Sequence, residues 1–267
     1  AVGPTRIQFL EYAAPFSIPA WAEWFARPLD ERKRQLADPD VRRRLDAAAH
    51  APEVGRLSAL ANWAAFEVGD TVAPVNAGYA GRRVGEIAAE QGRDPFEVVA
   101  SIALADDLRT GFWLLNTPAP AYTHFKADIL RDPRVLVGGS DAGAHLDRMC
   151  SSRYPTRFLA EFTRDTDAMT VEEVVHLMTG APAEYLGLRD RGRLQIGAHA
   201  DIVVFDPATV DAERIEKVAD LPGGAERLTS GSRGVHHVFV NGSEIITDGR
   251  PTGATPGSVL RSSELRP

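Results

Sequence analysis

The sequence predicts an α/β fold that is followed by a smaller unit built mainly of strands. Between residues 63 and 134, strand-like apolar stretches alternate with amphipathic helical patterns, and an apolar run follows at residues 135–137. After residue 189 the helical pattern gives way to β-branched runs separated by turn residues. Strands that alternate with helices are typical of a parallel sheet or a β/α barrel, whereas strands joined by tight turns are typical of hairpins.

Residues 1–62 form the first predicted region, which is helical and rich in loops. Trp21, Trp24 and Phe25 recur three and four residues apart, which places them on one apolar face of a short helix. Asp38 precedes a proline and predicts the cap of a further helix. The arginine and lysine runs of this region are mixed with acids, so we interpret them as solvated helix faces and not as a nucleic-acid patch.

Residues 63–189 form the second predicted region, in which strands and helices alternate. The pattern of residues 81–91 predicts a helix that ends at a glycine, and Asp94 before a proline predicts the start of another. The run Val-Leu-Val at residues 135–137 predicts a short buried strand. The sequence that begins Thr170-Val-Glu-Glu is a capping box and predicts a helix with one apolar face.

Residues 190–250 form a third, β-rich region, and we expect residues 251–267 to be a surface tail. The apolar run at residues 202–205 predicts a buried strand. Asn241-Gly242 lies between two apolar runs and predicts a β-hairpin, because both residues tolerate a positive φ.

The composition limits the classes of protein to which the chain can belong. A net charge of −7 predicts that the chain binds neither nucleic acid nor an anionic membrane, because either polyanion would be repelled. The single cysteine, Cys150, excludes an internal disulfide, and the sequence shows neither a membrane span nor a signal peptide. We therefore expect a cytoplasmic protein.

Asp141 is the leading candidate for a catalytic residue. It follows Gly138 and Gly139 on a loop just beyond the predicted strand at residues 135–137. In parallel α/β folds, catalytic side chains collect at that end of the strands. The alternative is structural, because an aspartate between small residues often forms an Asx turn. Its position alone leaves both interpretations open.

The histidines do not form a self-contained metal motif. The sequence has neither His-x-His nor His-Glu-x-x-His. Asp141 and His145 are the one acid–imidazole pair that is close in sequence on a plausible loop, and two ligands rarely hold a zinc ion. Ser140 is not predicted to be a nucleophile, because Gly143 arrives one residue too late for a Gly-x-Ser-x-Gly elbow.

Three motifs occur together and in order in the second half of the chain. They are Gly-Ser-Asp-Ala-Gly-Ala-His at residues 139–145, Thr-Gly-Ala-Pro-Ala-Glu-Tyr-Leu-Gly-Leu at residues 179–188, and the glycine-flanked turn and apolar strand at residues 192–206. This combination resembles the C-terminal part of the amidohydrolase superfamily. It is most similar to the D-aminoacylase-like N-acyl-D-amino-acid deacylases of amidohydrolase family 3.

The resemblance implies a (β/α)8 barrel beside a small β-sandwich. Residues 63–189 would be the C-terminal part of the barrel, and residues 190–250 would be the C-terminal strands of the sandwich. It also implies one or two zinc ions and a metal-activated water that attacks the amide bond of an N-acyl-D-amino acid. Asp141 would be a metal ligand and would accept the proton of that water.

The resemblance also implies residues that bind the substrate. Substrates of this family carry a free carboxylate, and the planar fork of a guanidinium fits such a group. Arg148 and Arg153 follow Asp141 closely and are the candidates for this contact, with His145 as a further substrate-binding residue. The sequence lacks the His-Pro-Arg string of some family members, which leaves the identity of the substrate open.

The family's His-x-His and its other histidine ligands do not occur in this sequence. We therefore expect the chain to be roughly the C-terminal half of such an enzyme, inactive by itself and unable to retain zinc with one ligand. A partial barrel and a partial sandwich leave strand edges unpaired. We expect the missing N-terminal portion, or self-association of the chain, to cover these edges.

Two alternative functions stay open. One is another reaction of the same superfamily, either deamination or the hydrolysis of a cyclic amide, which analogy of fold cannot separate from deacylation. The other is a non-catalytic scaffold or interaction module, in which Asp141 is only a turn residue.

Overall fold

The computed structural model describes residues 5–10, 18–114 and 120–261. These residues belong to two units, a first unit within residues 4–116 and a second unit within residues 117–267. Each unit combines helices with strands, which confirms the predicted mixture of the two. No helix in the described ranges is long and apolar enough to cross a membrane.

The first unit contains five α-helices and a three-stranded sheet within its described residues. The helices are α1 (Pro19–Phe25), α2 (Leu29–Ala37), α3 (Pro39–Ala49), α4 (Val84–Gln91) and α5 (Pro95–Ala105). The strands are β1 (Thr5–Ile7), β2 (Phe66–Val68) and β3 (Phe112–Leu114). β3 lies between β1 and β2 and is antiparallel to both. These strands do not form the predicted parallel sheet, because helices between two strands do not fix the direction in which the strands pair.

Aromatic side chains form the centre of the first unit. Trp21 is fully buried, and its ring centroid lies 5.7 Å from those of Phe9, Trp63 and Phe96. Its indole Nε1 donates a hydrogen bond to the carbonyl of Leu45 at 2.9 Å, which fixes α1 against α3. The apolar face predicted for α1 therefore packs into the core, where the indole N–H of Trp21 is satisfied.

Gly111 marks a close approach between the backbone and a partly buried ion pair of the first unit. Arg6, which is 6% exposed, donates from Nε to Asp70 Oδ1 at 3.0 Å and from Nη2 to Asp70 Oδ2 at 2.5 Å. A Cβ atom at Gly111 would lie 2.3 Å from both Arg6 Nε and Asp70 Oδ1. Only glycine leaves room for this bidentate pair.

The second unit contains four α-helices and two antiparallel sheets within its described residues. The helices are α6 (Pro120–Leu130), α7 (Tyr154–Ala160), α8 (Val171–Met178) and α9 (Gly180–Tyr185). The strands are β4 (Ile202–Phe205), β5 (Asp211–Val218), β6 (Arg227–Arg233), β7 (Val235–Val240), β8 (Ser243–Thr247) and β9 (Arg250–Pro251). One sheet has the order β4–β7–β8–β9, and β5 pairs with β6 to form the other.

The hairpin predicted at Asn241-Gly242 is confirmed. It joins β7 to β8, and its two turn residues have φ values of 49° and 78°. The hairpin of β5 and β6 is not predicted, because the sequence of β5, Asp-Ala-Glu-Arg-Ile-Glu-Lys-Val, is dominated by charged residues that strands usually lack.

The predicted strand at residues 135–137 is wrong. Residues 135–140 have no regular secondary structure, and the side chain of Leu136 is 37% exposed. A strand requires a hydrogen-bonded neighbour, and no described strand pairs with this segment. The apolar pattern indicates a preference for extended backbone. A strand forms only where a neighbouring segment pairs with it.

The predicted capping box at the start of α8 is confirmed. The Thr170 hydroxyl accepts a hydrogen bond from the backbone N–H of Glu173 at 3.2 Å, and Glu173 Oε2 accepts one from the backbone N–H of Thr170 at 2.8 Å. Arg131 from the end of α6 donates to Glu173 Oε1 at 2.8 Å. The hydrogen bond from Arg131 and the one from Thr170 together lower the pKa of Glu173 to about 2.

We expect Gly111→Ala to destabilise the chain by about 1–3 kcal/mol, because the new methyl group displaces the Arg6–Asp70 pair. Urea denaturation measures the free energy of unfolding. Gly78→Ala is the matched control, since a Cβ there meets no heavy atom within 4 Å. Equal denaturation midpoints for the two variants would contradict the close packing at Gly111.

We expect Glu173→Gln to weaken the dependence of stability on acid pH. A lowered pKa means that the carboxylate stabilises the fold above its ordinary value of 4.5 and loses this effect as the pH falls towards about 2. The difference in urea midpoint between the natural chain and the variant should therefore be largest at neutral pH and shrink through this window. Glu172→Gln, one residue earlier, is the control, and it should show no comparable shrinkage.

Candidate active site

Asp141 lies on an exposed loop between residues 138 and 149. Its backbone carbonyl accepts a hydrogen bond from the N–H of Ala144 at 3.0 Å, which closes a tight turn through Gly143 with a φ of +94°. The neighbouring Ser140 hydroxyl accepts from the N–H of Ala142 at 3.2 Å. Ser140 therefore takes the turn-forming role that was the structural alternative for Asp141.

The carboxylate of Asp141 has no hydrogen-bond partner among the described residues. It stands in solvent at the tip of a turn that the backbone and Ser140 hold in place. An exposed carboxylate without internal bonds is free to contact a ligand, a metal ion or a proton donor. This arrangement is compatible with the predicted role of Asp141 in chemistry.

His145 begins a second turn on the same loop. Its φ of 48° lies in the left-handed region, and its carbonyl accepts from the N–H groups of Arg148 and Met149 at 2.9 Å each. A positive φ is uncommon for a residue other than glycine, asparagine or aspartate, although histidine tolerates it better than most. The turn keeps the imidazole of His145 exposed.

Arg148 forms an ion pair with the preceding residue, Asp147. Its Nε donates to Asp147 Oδ2 at 2.8 Å. Burial raises the pKa of the Asp147 carboxyl, but the hydrogen bond from Arg148 and the nearby His145 outweigh burial, so the pKa lies below its usual range. Arg148 is thus an arginine that already has a carboxylate partner.

Arg153 differs from Arg148 in its pairing. It is half-buried at the end of a 3-10 turn, Ser151–Arg153, that leads directly into α7. Its Nε is buried and has no hydrogen-bond partner among the described residues. Burial, together with the charge of Arg157, lowers the pKa of its guanidinium.

The four predicted site residues are neighbours along the chain, and no described hydrogen bond or ion pair joins any two of their side chains. Asp141, His145 and Arg148 occupy successive turns of one loop, and Arg153 follows on the next turn. Nowhere in the described ranges do three His, Cys, Asp or Glu side chains stand close enough to hold a metal ion. The residues described here therefore do not fit a zinc ion by themselves.

The second unit contains a cluster of charged side chains that the sequence patterns do not predict. It consists of three arginines around two aspartates: Arg157, Arg164, Arg233, Asp165 and Asp211. Asp211 is 7% exposed and accepts hydrogen bonds from all three arginines at 3.0–3.3 Å. Burial raises the pKa of Asp211, but the backbone N–H of Ala212 and the guanidinium of Arg157 outweigh it and hold the pKa below its usual range. The sequence gives no signal for these contacts, because most of them join residues 22 to 54 positions apart.

A cavity of about 680 Å³ also lies in the second unit. It is lined by residues of the segment that precedes the Asp141 loop, among them Val135 and Leu136, and by side chains of α8 and α9, among them Glu173 and His176. His176, which the helical pattern places on the polar side of α8, is exposed and faces this cavity. The cavity and the Asp141 loop are thus joined by one irregular segment of chain.

Comparison with known proteins relates the chain to hydrolases. Residues 35–246 match the model of the Amidohydrolase family, which is well over half of the chain. The chain is 33% identical over 186 residues to the D-aminoacylase of Alcaligenes xylosoxydans xylosoxydans, a match that covers 67% of this chain and 34% of that protein. It is 42% identical over 106 residues to the N-acyl-D-glutamate deacylase of the same organism, covering 40% of this chain and 20% of that protein.

A solved structure is also similar in part. The N-acyl-D-glutamate deacylase of Bordetella bronchiseptica, solved with zinc and a phosphonate inhibitor, aligns with a TM-score of 0.36 and 26% identity over 75% of this chain and 38% of that chain. The chain thus spans about a third of the length of the D-aminoacylase that it matches. From the match over residues 35–246, the chain belongs to the amidohydrolase family.

Proposed function

We propose that the protein to which this chain belongs hydrolyses the amide C–N bond of N-acyl-D-amino acids. The observation that carries the proposal is the family match across residues 35–246, which includes an Asp141 whose carboxylate is exposed and makes no hydrogen bond within the described chain. The similarity to D-aminoacylase and to N-acyl-D-glutamate deacylase supports this class of substrate.

Asp141 is the proposed catalytic residue. An ionised carboxylate at the tip of a turn can accept a proton during attack on the amide and deliver it to the leaving amine. Zinc, as one or two ions in the intact enzyme, belongs to the same proposal, and Asp141 is the one ligand that this chain contributes. The other ligands then come from outside the residues described above, which is why the isolated chain is proposed to be inactive.

Substrate binding is assigned to residues that follow Asp141. Arg148 and Arg153 are the proposed partners of the substrate carboxylate, because a guanidinium offers two parallel N–H groups to a carboxylate. His145 is proposed to contact the substrate from the neighbouring turn. All three lie within twelve residues of Asp141 along the chain.

The finer architecture is part of the same proposal. In the complete protein, residues 63–189 are proposed to be the C-terminal part of a (β/α)8 barrel, in which β2 and β3 would run parallel and not antiparallel as they do in the described chain. Residues 190–250 are proposed to be part of a β-sandwich, with residues 1–62 as an insertion and residues 251–267 as a surface tail. β4 is an outer strand of its sheet and β9 is the other. An N-terminal portion of the protein, or a second copy of the chain, would pair with such edges. The cytoplasmic location stays a prediction.

We expect Asp141→Asn in the complete gene product to lower kcat/KM for amide hydrolysis by about 100-fold or more, because a group that transfers protons contributes factors of this size. Release of the free amine from N-acetyl-D-glutamate, N-acetyl-D-leucine and their L-enantiomers measures the reaction. Asp128→Asn, which changes an exposed aspartate on α6, is the matched control and should keep full activity.

Two results would contradict the proposal. One is full activity in Asp141→Asn. The other is a complete protein that releases no amine from any N-acyl amino acid, whether it instead deaminates, opens cyclic amides or has no hydrolytic activity. Metal analysis of the complete protein tests the zinc assignment separately, and we expect one or two zinc ions per chain.

A further inference from the structure

An oxygen atom that can only accept a proton lies close to each ring nitrogen of His199. Nδ1 lies 2.8 Å from Oδ1 of Asn241, in the turn that joins β7 to β8. Nε2 lies 3.2 Å from Oδ2 of Asp190, which is within ion-pair distance. The ring therefore has one neighbour that requires a proton on Nδ1 and another that favours a proton on Nε2.

The orientation of the Asn241 side-chain amide is fixed by a second contact. Its Nδ2 donates a hydrogen bond to the backbone carbonyl of Pro256 at 2.7 Å. Because a carbonyl oxygen only accepts, the nitrogen of the amide must be the atom on that side. The oxygen of the amide then faces His199, and the ring must donate to it from Nδ1.

A neutral imidazole cannot satisfy both of these neighbours. It carries one proton, and with that proton on Nδ1 the lone pair of Nε2 would face the carboxylate of Asp190. The imidazolium form carries a proton on each nitrogen, so it can donate to Asn241 and form an ion pair with Asp190 at the same time. The two contacts therefore select the protonated form of His199.

The charged groups around the ring also favour a positive charge. Within the described residues they are Asp190, Asp201 and Arg191, and the last two form an ion pair with each other. The backbone N–H of Asn241 donates to Asp201 at 2.8 Å; this hydrogen bond outweighs burial and, with the charges of Arg191 and His199, holds the pKa of Asp201 below its usual range. Two carboxylates thus accompany one guanidinium, and a protonated His199 balances the charge.

The contacts of His199 connect three segments of the second unit. They are the loop at residues 190–201, the turn at Asn241, and the segment that follows β9 and includes Pro256. Residues 253–260 have no regular secondary structure. Among the described residues 253–261, the hydrogen bond between Asn241 and Pro256 is the one that ties this segment to the sheet. The orientation of the Asn241 amide therefore affects how firmly the segment is held.

We propose that His199, Asp190 and Asn241 form a proton-dependent switch that holds the segment around Pro256 against the turn between β7 and β8. In the imidazolium form both ring contacts are made. Loss of one proton leaves the ring with a single donor, so one contact is lost and the amide of Asn241 is held less firmly. Histidine titrates near pH 6.5 in unstructured peptides, so this switch responds to pH close to neutrality. The inference does not depend on the proposed function.

Urea denaturation of the 267-residue chain and of His199→Gln, between about pH 5 and about pH 8, tests the switch. Glutamine does not titrate and cannot form the ion pair with Asp190. We expect the natural chain to have the higher urea midpoint in acid, and the difference between the two midpoints to shrink as the pH rises and the imidazolium is lost. His124→Gln is the matched control, because His124 is exposed on α6, and its midpoint difference should not change with pH.

Nuclear magnetic resonance of the chain labelled with ¹⁵N-histidine reports on the ring directly. At about pH 6 we expect both nitrogens of His199 to carry protons, with the Nδ1 proton protected from exchange with water by Asn241. The signals that disappear in His199→Gln identify this ring. At the same pH, the backbone amide of Gly257, next to Pro256, should exchange faster with solvent in His199→Gln than in the natural chain.

Three results would overturn the switch. They are a midpoint difference for His199→Gln that stays constant with pH, a His199 ring with a single proton at about pH 6, and unchanged exchange at Gly257. If circular dichroism shows that His199→Gln does not fold, Asp190→Asn takes its place, because it keeps an oxygen at the same position but removes the charge. Its midpoint difference should also shrink as the pH rises. None of these measurements involves amide hydrolysis, so they are separate from a failure of the proposed function.

Discussion

The second unit depends on a single buried carboxylate, that of Asp211. Burying an ionised carboxylate is unfavourable unless partners replace its water, and here three guanidinium groups and one backbone N–H do so. These partners come from α7, from the π-helical turn at Glu161–Asp165 and from β6, while Asp211 itself begins β5. One side chain therefore connects α7 to the hairpin of β5 and β6.

The loop that carries Asp141 does not depend on a charged side chain for its conformation. It is held by backbone hydrogen bonds within two tight turns and by the hydroxyl of Ser140, so its acidic side chain is not needed for the fold. Freedom from structural bonds is what allows a carboxylate to serve a ligand or a reaction.

Much of the fold and part of the site could be predicted from local sequence signals. The capping box at Thr170, the cap at Asp38 and the turn at Asn241-Gly242 depend on residues within four positions of one another, and all three are confirmed. The strand at residues 135–137 and the parallel sheet are not found, because strand pairing depends on partners far away in the chain. The missed hairpin of β5 and β6 shows the same limit, since pairing overrides the low strand preference of its charged residues.

The sequence by itself determined the family, the helix caps, the tight turns and the identity of Asp141 as the candidate acid. All four depend on residue types and on their spacing within short segments, and both can be read directly from a sequence motif. Only the tertiary structure decided that the Ser140 hydroxyl makes the turn-forming hydrogen bond in place of the Asp141 carboxylate and that Arg148 is paired with Asp147. It also decided that Nε of Arg153 and the hydroxyl of Ser151 have no hydrogen-bond partner within the described ranges of the chain. Burial and pairing are properties of three-dimensional proximity, which folding creates between residues that no local pattern connects.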